Sequence, residues 1–445
     1  MVIPFGRQSD ISERTKRFAA QEFVRWGAMA RISRPTVIAV AVSAVVMAAL
    51  GGAHNEWPRN AIGSVSHVEL GVTHTQFSAD EWNAPAATDR AKQILRSMAD
   101  LENQHIMGWG ADTPSPAPGV RDWRTLDQRM RLIGASEATP VITLCCAPDW
   151  MKGGEPGTTD WSRLEEAPSP DHYDDFAELA ADVARRYPQV RYYIVWNELK
   201  GFYDTDHERW DIESYTTLYN KVYLRLKAVD PTLKVGGPYV VMESWSSSDA
   251  SHPSSFAGPW GVMDQRALDA VNNWLSRADG ADFIAIDGSS ATNDKGLIVA
   301  PQVANQKFAA VTRWLRTRTA LPVWWAELYP AIDREEDWAS PWRAAVALDA
   351  ILSIADAGGS VVLLWQPEGR PDSPSVALWS TTNTSSGGQA GPLVEMLVWV
   401  RNAWRAGRRV EHRWDGAALV VTAGADRLVA DESGSATTWC WFSCR

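Results

Sequence analysis

The chain has 445 residues, 45% of them hydrophobic and 22% charged, and spreads its Gly and Pro without a long tract of either, a globular composition that argues against extended disorder. Its formal net charge of -11 argues against a nucleic-acid partner, which requires a basic face. The 24 Trp outnumber Phe and Tyr combined (10 each), so beyond those that fill the core some are available to stack on the apolar faces of sugars.

Residues 1–35 are basic, with seven Lys/Arg against three Asp/Glu before residue 35. Residues 36–53 follow as an apolar segment whose first 17 residues, Thr36 to Gly52, carry no charge. That length lies at the lower end of the roughly 17–25 residues that span a bilayer. The segment reads either as a cleaved signal peptide or as a retained anchor, and the positive flank keeps the N-terminus inside in both cases. The remainder of the chain is then extracytoplasmic, secreted or membrane-anchored, and touches membrane only through this segment.

From residue 64 to 407, short apolar runs alternate with amphipathic stretches eight times. The runs are 64–74, 105–110 ("HIMGWG"), 139–148, 190–198, 233–240, 282–288, 321–328 and 360–368. Between them lie helical patterns such as "YDDFAELAADVARRY" and "QKFAAVTRWLRTR". Continuous apolar strands belong to parallel sheets covered on both faces. Eight such units predict an α/β fold, a (β/α)8 TIM barrel. An open doubly wound sheet is the competing architecture, but no G-x-G-x-x-G follows the first strand. Pro-rich stretches at 112–119 and 165–171 fall in loops after the second and third strands, on the face where barrels keep their sites. Residues 408–445 change to short alternating strands, a β-rich appendage or truncated accessory domain.

Four Cys are too few for a disulfide scaffold. Cys145 and Cys146 lie inside an apolar strand and read as buried free thiols, whereas Cys440 and Cys444 are placed to pair after export.

A barrel gathers its strand ends at one pocket. Those ends carry His74, Trp109, Asp149, Trp150, Asn197, Glu198, Tyr239, Asp287, Glu327 and Trp365. Glu198 and Glu327 occupy equivalent positions after the fourth and seventh strands. Two converging carboxylates are what glycosidic cleavage requires, one protonated to serve the leaving oxygen and one ionised to attack or to activate water. The spacing of single His residues gives no metal-ligand cluster, and no cofactor is expected.

"VWNE" at the fourth strand end, with a Glu at the seventh, resembles glycoside hydrolase clan A, and "WNELKGFYD" followed by a helix and "LKVGGPYV" is most similar to its family 39 branch. That branch includes β-xylosidases, α-L-iduronidases and exopolysaccharide hydrolases. The resemblance implies a retaining hydrolase acting on a polysaccharide or oligosaccharide. It makes Glu198 the acid/base, Glu327 the nucleophile and Asn197 the partner of the sugar 2-hydroxyl. His74, Trp150, Asp149, Tyr239, Asp287 and Trp365 are the expected substrate contacts, with Asp287 offered to a pair of hydroxyls. The chain departs from the pattern at Leu199, where relatives commonly have Pro, and at Asp287, where they tend to carry His or Tyr. The alternative is a carbohydrate-binding protein that kept the barrel without turnover.

Overall fold

The computed structural model describes residues 66–79, 83–333, 337–370 and 377–438. The expected export or anchor segment and the Cys440/Cys444 pair lie outside the described residues. Among those described, no helix is long and apolar enough to cross a membrane.

Eight parallel strands close into a barrel: β1 (Glu69–Thr73), β2 (Leu101–His105), β3 (Thr139–Leu144), β4 (Tyr192–Val195), β5 (Lys234–Val241), β6 (Phe283–Asp287), β7 (Val323–Trp325) and β8 (Val361–Trp365). They stand in chain order, and β1 seals the ring against β8 from Glu69↔Val361 to Thr73↔Trp365. The α/β barrel expected from the eight apolar runs is thus the architecture observed.

Among the described residues, eight helices of thirteen or more residues clothe the ring: α1 (Pro85–Met98), α2 (Arg124–Ser136), α3 (Tyr173–Arg186), α4 (Ile212–Val229), α5 (Gln265–Arg277), α6 (Gln306–Arg318), α7 (Pro341–Asp356) and α8 (Pro392–Arg405). Helix α3 illustrates how the sequence specifies them. Asp174 and Asp175 sit in its first turn and Arg185 and Arg186 in its last, complementing the helix dipole, while Phe176, Leu179, Ala180 and Val183 turn inward. The side chain of Asp211 caps α4 by accepting from the Ser214 amide at 3.1 Å, and that of Asp264 caps α5 from the Arg266 amide at 2.8 Å.

The barrel interior is filled by Leu101, Val141, Ile194, Phe283, Trp324, Val361 and Leu363, as a packed core rather than a pore. Trp324 stacks on Phe283 with ring centroids 4.1 Å apart. A Cβ at Gly236 would lie 2.3 Å from the Phe283 ring, so glycine is what admits that stack.

The expectation of a second strand at 105–110 is corrected. The strand is "LENQH", four residues earlier, and all five side chains are buried. Its polar residues form internal pairs: Gln104 accepts from Arg129 at 2.9 Å, and Asn103 accepts from Thr143 at 2.9 Å. Apolar patterning cannot register such a strand.

A second correction concerns Cys145 and Cys146, which are joined to each other by a disulfide directly after β3 and are not free thiols. Both are buried, as their apolar strand implies, but adjacency is what places the two sulfurs together.

After α8 the chain forms four antiparallel strands, β9 (Glu411–Asp415), β10 (Ala418–Ala423), β11 (Asp426–Asp431) and β12 (Gly434–Thr438). This sheet packs on the outer side of α7, which explains why that helix is buried nearly all round.

Candidate active site

The strand ends on one face of the barrel deliver the polar side chains, and the segment after β4 shows how. Beyond Val195 the backbone enters the left-handed region at Trp196, Glu198 and Leu199, with φ of 68°, 51° and 54°. Each such residue costs about 1–3 kcal/mol, a strain that persists only where surrounding contacts over-determine it. Those contacts are the buried Trp196 ring, which packs edge-on against Phe176 and Phe202, and its Nε1, which donates to the Lys200 carbonyl at 2.7 Å. At φ 54° position 199 is closed to proline, whose ring fixes φ near -65°, so this backbone admits Leu199 and would not admit a Pro there.

The turn aims Glu198 at Asp287, the last residue of β6, and at Glu327, two residues past β7. One carboxyl oxygen from each lies within 4.8 Å of the others. Beside Glu198 lies Lys200, whose Nζ is 2.9 Å from Glu198 and 2.6 Å from Glu165. Glu327 accepts from Tyr239 at 2.5 Å on Oε1 and from Tyr329 on Oε2. Tyr239 reaches it through an irregularity in β5. Pro238 pairs with Ala285 and Val240 with Ile286, which leaves Tyr239 as an extra residue with φ 57°, a bulge that turns its side chain inward.

Asn197 is buried, and its Oδ1 accepts from His105 Nε2 at 3.3 Å. Burial lowers the His105 pKa to about 3, against that hydrogen bond, so the ring is neutral. His74 is also held below the ordinary value by burial, although Glu102 accepts from its Nε2 at 3.0 Å; it is wholly enclosed. Trp365, half-buried, meets Trp109 and His105 edge-on at 5.9 and 6.1 Å, forming an aromatic wall. Trp150 is only 9% exposed, with Nε1 donating to the Ser115 carbonyl at 2.9 Å. Asp149 accepts from the Asp160 amide at 2.5 Å and faces Lys152 at 3.5 Å, ordering the loop after β3. Trp325 is buried, with its Nε1 donating to Thr312 on α6.

Sequence reasoning missed Lys200, Tyr329 and His105. Lys200 and Tyr329 each lie two residues past a strand-end Glu, where no apolar periodicity points. His105 was set at the start of a misplaced strand, although it ends β2.

The electrostatics divide the three carboxyls. Burial pushes Asp287 well above the carboxylate range, reinforced by the charges of Glu198 and Glu327. Burial and Glu198 push Glu327 up to about 8, against the two tyrosine donors. Burial also raises Glu198, but the Lys200 ammonium and a hydrogen bond with Asp287 outweigh it and leave Glu198 below its usual value. This is the reverse of the simplest assignment, in which the free enzyme would keep its proton on Glu198 and not on Glu327. Repulsion within a cluster of three carboxyls and one ammonium favours keeping a proton on one of the carboxyls.

No family model matches the chain, and no curated protein matches it in sequence. Solved structures do resemble it in fold. A monomeric β-xylosidase from Caulobacter crescentus CB15 superposes with a TM-score of 0.53 at 16% identity, over 81% of this chain and 72% of the other. A GH39 enzyme from Xanthomonas axonopodis pv. citri gives 0.53 at 18% identity, over 82% and 72%. A β-glucosidase from Exiguobacterium marinum gives 0.51 at 12% identity, over 76% and 98%. At these identities the likeness is one of fold.

Proposed function

We propose that this chain is a retaining glycoside hydrolase of the clan A, family 39 type. The observation that carries the reading is the approach of Glu198 and Glu327, with oxygens within 4.8 Å at the strand ends of a (β/α)8 barrel. Retaining enzymes hold their two carboxyls about 5–5.5 Å apart, whereas inverting enzymes need about 6.5–9.5 Å to seat a water. That the neighbours in fold include a β-xylosidase, a GH39 enzyme and a β-glucosidase supports the same reading.

In this mechanism ionised Glu327, steadied by Tyr239 and Tyr329, attacks the anomeric carbon. The leaving oxygen takes a proton from Glu198. The glycosyl ester on Glu327 is then opened by a water that gives its proton to Glu198, and the anomeric configuration is retained. Asn197, oriented by His105, offers its amide to the 2-hydroxyl, and the Trp365–Trp109 wall supplies a stacking face. The substrate is a β-linked polysaccharide or oligosaccharide met outside the cytoplasm, with residues 36–52 exporting or anchoring the chain.

A panel of 4-nitrophenyl β-D-xylosides, β-D-glucosides and related pentosides tests this. Wild-type protein is expected to release nitrophenol, and Glu327→Ala to lose the activity by several orders of magnitude. Wild-type-like hydrolysis by Glu327→Ala would sink the assignment. Saturable binding of xylan or glucan fragments with no turnover in any assay would favour the binding-protein reading instead.

A further inference from the structure

Resting on the hydrolase reading, we infer that Asp287 stores the catalytic proton and hands it to Glu198, which conveys it to the leaving oxygen. The inference starts from which carboxyl already has its charge answered. Both oxygens of Glu327 accept from tyrosine hydroxyls, so that group is dressed as a carboxylate. Glu198 has the Lys200 ammonium at 2.9 Å. Asp287 lies at the end of β6, is 1% exposed, and its Oδ1 has no hydrogen-bond partner. The carboxyl–carboxyl contact between Glu198 and Asp287 needs one proton, and among the described residues the hydroxyl donors serve Glu327 and the Lys200 ion pair serves Glu198, not Asp287. Its neighbours from each packed element are Glu198 and Lys200 after β4, Tyr239 on β5, Glu327 and Tyr329 after β7, and Lys307 on α6. The ammonium nearest the cluster faces Glu198, and Lys307 is spent on Ser244 Oγ at 2.9 Å and the Ser289 carbonyl at 2.7 Å. The raised pKa of Asp287 accords with this placement.

The transfer balances. The O–H bond of Asp287 breaks as one forms on Glu198, leaving Asp287 ionised. The new Glu198 O–H then breaks as the leaving oxygen becomes a hydroxyl. During deglycosylation the proton taken from water by Glu198 returns to Asp287, restoring the resting pair. Lys200 is thereby compatible with acid catalysis, because the proton need not rest on the carboxyl that the ammonium faces.

Leaving groups discriminate this role from sugar binding. A 2,4-dinitrophenolate departs without protonation, whereas an unsubstituted phenolate needs the acid. With the 2,4-dinitrophenyl and phenyl β-D-xylosides and β-D-glucosides, Asp287→Asn is expected to lower kcat/KM for the phenyl glycoside by about tenfold or more, a small part of the 10²–10⁴ that general acids supply. The dinitrophenyl glycoside should stay within a factor of about three, and the basic limb of the pH profile should move to lower pH, as Glu198 then titrates beside Lys200 and Glu327 without sharing a proton with Asp287. Asp287→Glu should recover much of the phenyl glycoside rate, and Asp287→Ser serves in place of Asn if that variant does not fold. Equal loss of both substrates with an unmoved pH profile would overturn the proton role and leave the hydrolase reading standing. Failure of the wild type to turn over any of these glycosides would end both.

Discussion

Replacing Tyr239 by Phe removes one hydroxyl from Glu327 and little else. The ring stays in the barrel core, where Tyr239 packs among Phe283, Ala285 and Ala326, and Tyr329 still donates to the other oxygen. The lost contact is a 2.5 Å hydrogen bond to a buried carboxyl. Such charge-assisted bonds contribute about 1.5–3 kcal/mol. At about 1.4 kcal/mol per pKa unit, the ionised form of Glu327 is disfavoured by a further one to two units or so. Glu327 is already raised to about 8, so the wild-type acidic limb of kcat/KM should fall near that pH and the variant's above it. At pH 7 the rate should drop by about 10–150-fold, and the gap should narrow as pH rises past both limbs. The assay is the pH dependence of kcat/KM on a 4-nitrophenyl glycoside, corrected for nitrophenol ionisation. An acidic limb that does not move, or a pH-independent loss, would refute the reasoning.

Lys200→Met removes the ammonium from Glu198, so the acid pair should release its proton less readily and the basic limb of kcat/KM should move to higher pH, read from the same profile. Glu327→Gln tests the cost of burying the charge. A carboxyl whose folded-state pKa is raised from 4.5 to about 8 leaves stability intact below the unfolded value and erodes it as pH rises between the two. The variant should therefore match wild type near pH 4.5 and exceed it near pH 8 in denaturant midpoint, removing a slope of at most about 1.4 kcal/mol per pH unit. Equal wild-type and variant stability across that window would show that Glu327 is not raised. Intact-mass measurement without reductant should find the peptide containing Cys145 and Cys146 two hydrogens lighter than its reduced form, and unlabelled by iodoacetamide; labelling of either Cys would contradict the disulfide.

Much of the barrel was legible because parallel strands buried on both faces, such as "FIAID" and "VVLLW", are continuous apolar runs that stand out from amphipathic helices. Strand β2 was not, because its Glu, Asn, Gln and His bury polarity against partners contributed by distant elements, Arg129 and Asn197 among them. The strand-end rule found Glu198, Asp287 and Glu327 and the tyrosine on β5. It had no means to find Lys200 or Tyr329, whose places depend on the left-handed turn after β4 and on the course of the loop after β7. Trp150 and His74 occupy strand-end positions and are buried, with the Trp150 Nε1 bonded to Ser115 and the His74 Nε2 to Glu102. Position in sequence brought the candidate carboxyls together; the contacts among three carboxyls, two tyrosines and one lysine, on which the proposed division of charge and proton rests, are not readable from position.

The most direct measurement is to trap the covalent intermediate. Incubation with a 2-deoxy-2-fluoro-β-glycosyl fluoride of the turned-over sugar, followed by proteolysis and mass spectrometry, should find one fluoroglycosyl group esterified to Glu327, with activity lost in step with labelling. A label on Glu198 or Asp287 in its place, or continued turnover with no label on Glu327, would contradict the account.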